Sequence, residues 1–358
     1  MTMSASETLV VETAARVFAD LADPQTIVQK RDDAWKAPLW SSLQDIGLDL
    51  AWASETAGGA GASLADGFGI IREAGRAALA VPLAETLLAG WLLDRAGLIA
   101  PGGPMTLAPV RPKDHLTLDK TGRINGRARM VPFASDVAHL VVLVTGDEGP
   151  SVALVRTADC KLKPGKSLAG DARDSVEFAG VLPVHSARLK QSGTREKDVL
   201  LLMGAAARAQ QIAGALDRIL ELSVLYSQQR VAFEKPISKF QAIQHSLARL
   251  GGEVAAAASA AASAADTIAS TGFDDDAALL EIAAAKIRCS EAAEGGTGIA
   301  HQVHGAIGFT DEHILHRFTL RLLSWRDEFG DETFWSLKLG EFITARGPRE
   351  LWPLLASR

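Results

Sequence analysis

Four carboxylates stand within six residues in the run Arg326-Asp327-Glu328-Phe329-Gly330-Asp331-Glu332. A carboxylate held in a dry pocket has its pKa raised toward working pH and can take a proton from carbon, which makes Glu328 and its acidic neighbours candidates for a general base. The same run also reads as a solvated acidic cluster opening a helix, where negative side chains meet the positive end of the dipole. His301 with His304, and His313 with His316, are spaced to share a helix face as metal ligands would. No third ligand accompanies either pair at a recognised spacing, so no metal is expected. Cys160 and Cys289 lie far apart without a paired-cysteine pattern, which points to neither a disulfide framework nor a zinc site.

Two tracts carry more order than single residues do. Residues 230–250, RVAFEKPISKFQAIQHSLARL, join a loop to a strongly patterned helix. Pro236 fixes its own φ and lacks a donor, so it belongs at or just before a helix start. Ser238 and Gln241 have the spacing of a capping box, and Phe240, Ile243, Leu247 and Leu250 recur at three- and four-residue steps as one apolar face. The other tract is residues 301–310, HQVHGAIGFT, where small residues let a backbone approach a ligand closely. A helix ending in a glycine cap explains Gly305 and Gly308 but not the whole tract.

The elements that must position these residues follow from periodicity and composition. With 358 residues, 47% hydrophobic and 22% charged, the chain has the composition of a soluble globular protein of two or three domains. A net charge of −6 without any Lys/Arg cluster argues against a nucleic-acid surface. The first residues lack the basic start and apolar core of a signal peptide, and no apolar run reads as long enough to span a bilayer, so a cytoplasmic protein is expected.

Helical periodicity runs to about residue 103, with Leu50-Ala51-Trp52 read as extended before a loop that holds Gly58, Gly59 and Gly61. That loop lacks the order of a dinucleotide cradle. From 105 onward the period falls to two, and strands are expected at 115–118, 138–144, 151–155 and 175–178. Thr121-Gly122, Asn125-Gly126, Glu148-Gly149-Pro150 and Lys163-Pro164-Gly165 punctuate them. From Arg195 to the end the pattern is helical, with Asp274, Asp275 and Asp276 placed to cap one start. The expected fold is α+β and mainly α. It comprises an N-terminal helical domain (1–104), a middle antiparallel β-barrel or sandwich domain (105–190) and a C-terminal four-helix bundle (195–358).

Residues 230–250 resemble the signature of the acyl-CoA dehydrogenase family, in which an Arg, an aromatic two or three residues on, a Pro-Ile pair and a Phe-Gln pair follow in order. Here they stand as Arg230, Phe233, Pro236-Ile237 and Phe240-Gln241. The tract at 301–310 is similar to the family's Gln-x-x-Gly-Gly-x-Gly-Phe, with Gln302, Gly305, Gly308 and Phe309 in place and Ala306 where the second Gly is usual. The N-terminal order of a Gly-Gly loop, a helix with Glu73-Ala-Gly-Arg76 and then Pro82-Leu-Ala-Glu85 also looks like that family's helical domain.

The resemblance implies FAD, with Arg230, Phe233, Gln241, Gln302 and Gly305 as cofactor-binding residues reaching across a subunit interface. It implies oxidation of the α,β bond of an acyl-CoA thioester, a homo- or heterotetramer, and electron delivery to an electron-transfer flavoprotein. In many members the catalytic Glu lies about twenty residues beyond the Gly-Phe pair. Counted without gaps that place is Phe329, and Glu328 is one residue away; in other members the place counts back from Arg230 to Gly204, which carries no acid. The base is therefore Glu328 by preference, one of its acidic neighbours, or absent.

The middle domain departs from the family. Thr106 to Lys113 and Met130-Val131-Pro132-Phe133-Ala134 stand where a Thr-Glu-Pro-x-Ala-Gly-Ser-Asp stretch and a Trp-Ile-Thr wall the flavin. The resemblance thus also implies an alternative, a non-catalytic partner subunit that lends part of an FAD site to a complete sister chain.

Overall fold

The computed structural model describes residues 5–189, 196–273 and 276–356. Five helices open the chain: α1 (Ala5–Leu21), α2 (Pro24–Lys30), α3 (Lys36–Asp45), α4 (Leu64–Arg76) and α5 (Leu83–Arg95). Asp23 caps α2 by accepting from the Thr26 N–H, and Ser63 with Asp66 forms a reciprocal capping box on α4. The stretch at residues 50–52, expected to be extended, is a run of turns that buries Trp52, whose indole N–H donates to the Leu64 carbonyl at 3.2 Å.

The middle region holds β1 (Met105–Ala108), β2 (Leu116–Leu118), β3 (Ile124–Pro132), β4 (His139–Gly146), β5 (Gly149–Arg156), β6 (Lys161–Lys163), β7 (Arg173–Val181) and β8 (His185–Arg188). They form one sheet in the order β6-β7-β3-β2-β4-β5-β8, with β1 beside β4. It is mixed rather than purely antiparallel, since β1 and β2 both run parallel to β4. Asn125-Gly126 is not a turn: β3 runs through it. The chain has already reversed at Thr121-Gly122, where the Asp119 carboxylate accepts from the backbone N–H groups of Thr121 and Arg123. Alternation along β4 splits two cores, with Leu140, Val142 and Val144 facing the sheet's own interior and Val141 and Leu143 facing the helices.

The remainder comprises α6 (Glu196–Gln229), a hairpin of β9 (Val231–Ala232) and β10 (Lys235–Pro236), α7 (Gln241–Thr271), α8 (Asp276–His304), α9 (Leu315–Trp325), α10 (Glu332–Arg346) and α11 (Leu351–Ala356). Asp274 and Asp275, expected as caps, and Arg195, expected at the start of this region, lie outside the described residues. The Ser238–Gln241 capping box does not form. Ser238 sits in a tight turn at Ile237–Lys239, and Phe240 is the N-cap without a side-chain bond.

Buried side chains of the first five helices and of α6 to α10 join a single core. α4 crosses closely on α6, where a Cβ on Gly75 would come within 2.2 Å of the Gln211 carbonyl oxygen and one on Gly214 within 2.0 Å of that of Arg72. Arg72–Asp217 (2.8 Å) and Arg76–Glu221 (2.9 Å) flank this crossing, so Arg72 and Arg76 hold the two helices together. Within α6, Asp198–Gln229 passes as membrane-spanning by length and composition, contrary to expectation, because one 18-residue window keeps a mean hydropathy of 1.4. The apolar window is wholly buried inside the protein.

Candidate functional site

Gly204 on α6 and Phe329 in the α9–α10 loop, far apart in sequence, touch each other. A Cβ on Gly204 would fall 2.1 Å from the Phe329 ring. These are the two places to which the family's alternative base positions count. Here they are filled by a glycine without a side chain and an aromatic ring that occupies the space left. Phe329 is fully buried, holds a left-handed φ of 54°, and accepts at its carbonyl from the Trp335 indole N–H at 3.0 Å. A non-glycine residue in that conformation is strained, so the surrounding packing holds it there.

Glu328 points away into a buried ionic cluster. It is 5% exposed; its Oε2 accepts from Arg208 Nε at 2.6 Å, and its Oε1 lies 3.4 Å from Arg173 Nη2. Arg208 also binds Glu85 on α5 and the Gln211 side chain. Burial by itself would lower the Arg208 pKa, but Glu328 and Glu85 outweigh that and raise it. Burial raises the pKa of Glu85 against the pull of Arg208. Lys286 of α8 completes the cluster. Its ammonium is pulled down to about 8 by burial, which outweighs the opposing Glu328 charge, and it donates to the Arg326 carbonyl at 2.5 Å.

Of the other acids in this run, Asp331 caps α10 by accepting from the Phe334 N–H at 2.8 Å, and Glu332 pairs with Arg326 at 3.2 Å. Residues from α5, β7, α6, α8 and the α9–α10 loop thus meet in one charged knot. Sequence reading missed Arg208, Arg173, Lys286 and Glu85. The available signal was a lone charge inside an apolar run: Arg208 follows Ala205-Ala206-Ala207, and Lys286 follows Ala283-Ala284-Ala285.

The cofactor candidates lie at another place, on the surface at the far ends of α6 and α8. Tyr226 near the end of α6 stacks on His304 at the end of α8, ring centres 4.5 Å apart, which brings the Arg230 tract beside the Gln302–Gly305 tract. Arg230 follows Tyr226 by one helical turn, and its N–H donates to the Tyr226 carbonyl at 2.8 Å. The β9–β10 hairpin turns on Phe233 and Glu234, with φ of 49° and 65°, positions that favour glycine or asparagine. The result is a phenyl ring 87% exposed. Arg230, Gln241, Gln302 and Gly305 are exposed as well. His301, His304 and His313 all have their pKa lowered by burial, and among the described residues no group of three or more potential ligands could hold a metal.

The chain's fit to FAD divides between two regions. At the α6–α8 ends it is good: a guanidinium, two carboxamides and Gly305, whose added Cβ would meet nothing within 4 Å, face outward where a dinucleotide can lie. In the sheet the fit is poor. Thr106 is buried with its hydroxyl committed to the Pro132 carbonyl at 2.7 Å, and Val131 and Pro132 are buried with no hydroxyl to offer a flavin ring.

The family model described as the acyl-CoA dehydrogenase C-terminal domain matches residues 193–331. The chain is 30% identical over 328 residues to acyl-CoA dehydrogenase IpdE2 of Mycobacterium tuberculosis, covering 90% of this chain and 92% of that one. It is also 30% identical over 311 residues to acyl-CoA dehydrogenase FadE34 of the same organism, covering 81% of this chain and 39% of that longer protein. Among solved structures, the ChsE4-ChsE5 complex from M. tuberculosis superposes with a TM-score of 0.83 at 22% identity, over 97% of this chain and 99% of that one. These matches agree with the residue tracts and the fold, and the chain belongs to the acyl-CoA dehydrogenase family, whose cofactor is FAD.

Proposed function

We propose that this chain is the partner subunit of a heteromeric acyl-CoA dehydrogenase, one that helps to hold FAD but does not itself abstract the substrate proton. The observation that carries this reading is the Gly204–Phe329 contact. Where a base would project, a ring and a glycine fill the space, and the adjacent Glu328 has both carboxylate oxygens engaged by arginines. A general base must reach the proton it takes, within about 3 Å or through one water. Glu328 would have to leave two guanidiniums and a buried site to do so.

FAD held in such an assembly would supply the hydride acceptor for the β carbon of the thioester. This chain's contribution is binding. Arg230 meets phosphate or adenosine oxygens as a charged donor, Gln241 and Gln302 offer amide donors and acceptors, and Gly305 lets the backbone come close. Phe233, held outward by its strained turn, covers an apolar part of the same ligand or of the sister chain. The sister chain supplies the flavin wall and the base, the assembly is a tetramer of paired dimers, and electrons pass on to an electron-transfer flavoprotein.

Purifying the chain alone and co-expressed with candidate sister dehydrogenase chains tests this. A colourless protein that becomes yellow only with a sister chain, and turnover that appears only in that pair, supports the partner role. A yellow protein that alone reduces an electron acceptor with acyl-CoA overturns it in favour of a self-sufficient dehydrogenase using Glu328.

A further inference from the structure

Arg317 on α9 stands in the wall between two adjoining cavities of about 550 and 620 Å³, where α9 meets the α2–α3 loop and the sheet. Its Nε and Nη2 are buried and donate to nothing, and among the described residues it forms no ion pair. Arg321 Nε and Trp35 Nε1, in the wall of the larger cavity, are likewise buried donors without an acceptor. Most acids in the two walls are engaged: Asp32 accepts from the Ala34 N–H at 3.1 Å, while Asp311 lies exposed in the wall of the smaller cavity. Asp171 accepts from Arg321 at 2.6 Å, Asp33 pairs with Lys36 at 3.0 Å, and Asp174 accepts from the Ser135 and Gly165 backbone N–H groups at 2.7 and 3.0 Å. Asp136 lies exposed at the rim.

Among the described residues, the buried unsatisfied side-chain groups of the cavity walls are thus all N–H donors. Leaving a buried donor unpaired is unfavourable, and four of them on three side chains, two of these cationic, ask for an acceptor with several lone pairs and negative charge. We propose that this cavity is an oxyanion-binding site, taking a carboxylate or phosphate group against Arg317, with Arg321 and Trp35 as further donors. Guanidiniums recognise both oxyanions in the same forked geometry, so the chemistry is shared between the two sources. The strong desolvation at Arg317, which pulls its pKa down to about 10, accords with a cation awaiting a counter-charge. The site is apart from the α6–α8 ends assigned to FAD, although Phe133, from the segment that stands where the family walls its flavin, lines the larger cavity; it does not rest on the partner-subunit reading.

The test uses the full chain, titrated separately with inorganic phosphate and with succinate at constant ionic strength, and follows both the melting temperature and direct binding by calorimetry. Saturable binding of either anion, weakened at least tenfold in Arg317→Gln and unchanged in the exposed-surface control Arg123→Gln, supports the site and identifies which oxyanion it takes. If Arg317→Gln does not fold, Trp35→Phe keeps the ring and deletes one donor, and a several-fold loss of affinity is then expected. Absence of saturable binding for both anions, or equal binding in wild type and in the folded Arg317 or Trp35 variant, overturns the proposal.

Discussion

Replacing Glu328 by Gln separates a structural acid from a catalytic one. Gln keeps the shape but removes the charge that both Arg208 (2.6 Å) and Arg173 (3.4 Å) are set against. The cluster then holds Arg208, Arg173 and Lys286 against Glu85 alone, and the amide's own N–H₂ faces at least one guanidinium. Breaking a buried ion pair by removing one partner costs about 3–5 kcal/mol. For 358 residues, an unfolding entropy of about 2.1 cal/mol/K per residue converts that to a drop of about 4–7 °C in melting temperature. Urea unfolding and thermal melts of the purified chain measure it, alongside the flavin content and turnover of the assembled pair. The expected outcome is a clear loss of stability, with turnover per bound flavin retained in whatever assembly forms. A melting temperature within about 1 °C of wild type, combined with abolished turnover and normal flavin, is the behaviour of a base and would refute the reasoning.

Gly204→Ala places a methyl into the Phe329 ring and should cost about 1–3 kcal/mol, relieved when combined with Phe329→Leu; a double-mutant cycle without coupling would show that the two do not touch. Lys286→Met gives a pH test. The folded ammonium titrates near 8 and the unfolded one near 10.5, so between those values the unfolded state binds the extra proton and wild-type stability rises with pH relative to the variant. The difference in urea stability should grow by up to about 3 kcal/mol from pH 8 to 10.5, and a flat difference contradicts a depressed lysine. Glu234→Gly relaxes one of the two strained hairpin positions and should stabilise the chain by about 1 kcal/mol, with the gain read in the melt. Phe233→Ala should leave the isolated chain within about 0.5 kcal/mol of wild type and reduce flavin retention in the assembled pair; unchanged retention removes Phe233 from that surface.

The helices were legible because their signal is local. Apolar residues at three- and four-residue steps in 64–80 and 198–228 need no knowledge of the rest of the chain, although α4 ends at Arg76. Strands were legible where a run of β-branched and aliphatic residues is long enough to read by itself, as in β4 and β5, or where burial alternates, as in β7. β1 escaped because every residue in it is buried, leaving no alternation, and it pairs in parallel with a strand some thirty residues on. The Ser238–Gln241 motif misled for a related reason. The chain spends residues 237–239 in a tight turn held by the Ile237 N–H to Arg230 carbonyl bond, a tertiary demand that outranks the local cap. At the candidate site, counting from family signatures found both Gly204 and Phe329, but only three-dimensional placement brings them into contact. Whether Glu328 faces that point or a pair of arginines turns on the single left-handed residue that follows it.

The closed base position and the exposed cofactor face have opposite physical characters. A site that performs proton abstraction keeps space for substrate beside an acid that can move. Here that space is filled, and the acid is tied to α6 and to β7, while Arg208 extends the tie to α5. The charged knot therefore joins the first helices, the sheet and the C-terminal helices at one point, work that an acid free to exchange protons with a substrate could not do. At the ends of α6 and α8 the economy is reversed: Phe233 and Glu234 sit in a conformation that costs free energy, and Arg230, Gln302 and Gly305 are left facing water with little return in the isolated chain. Strain and exposure concentrated on one face are repaid only if something binds there. On the partner-subunit reading proposed above, the closed base position and the open face belong to one role, completing another chain's cofactor site.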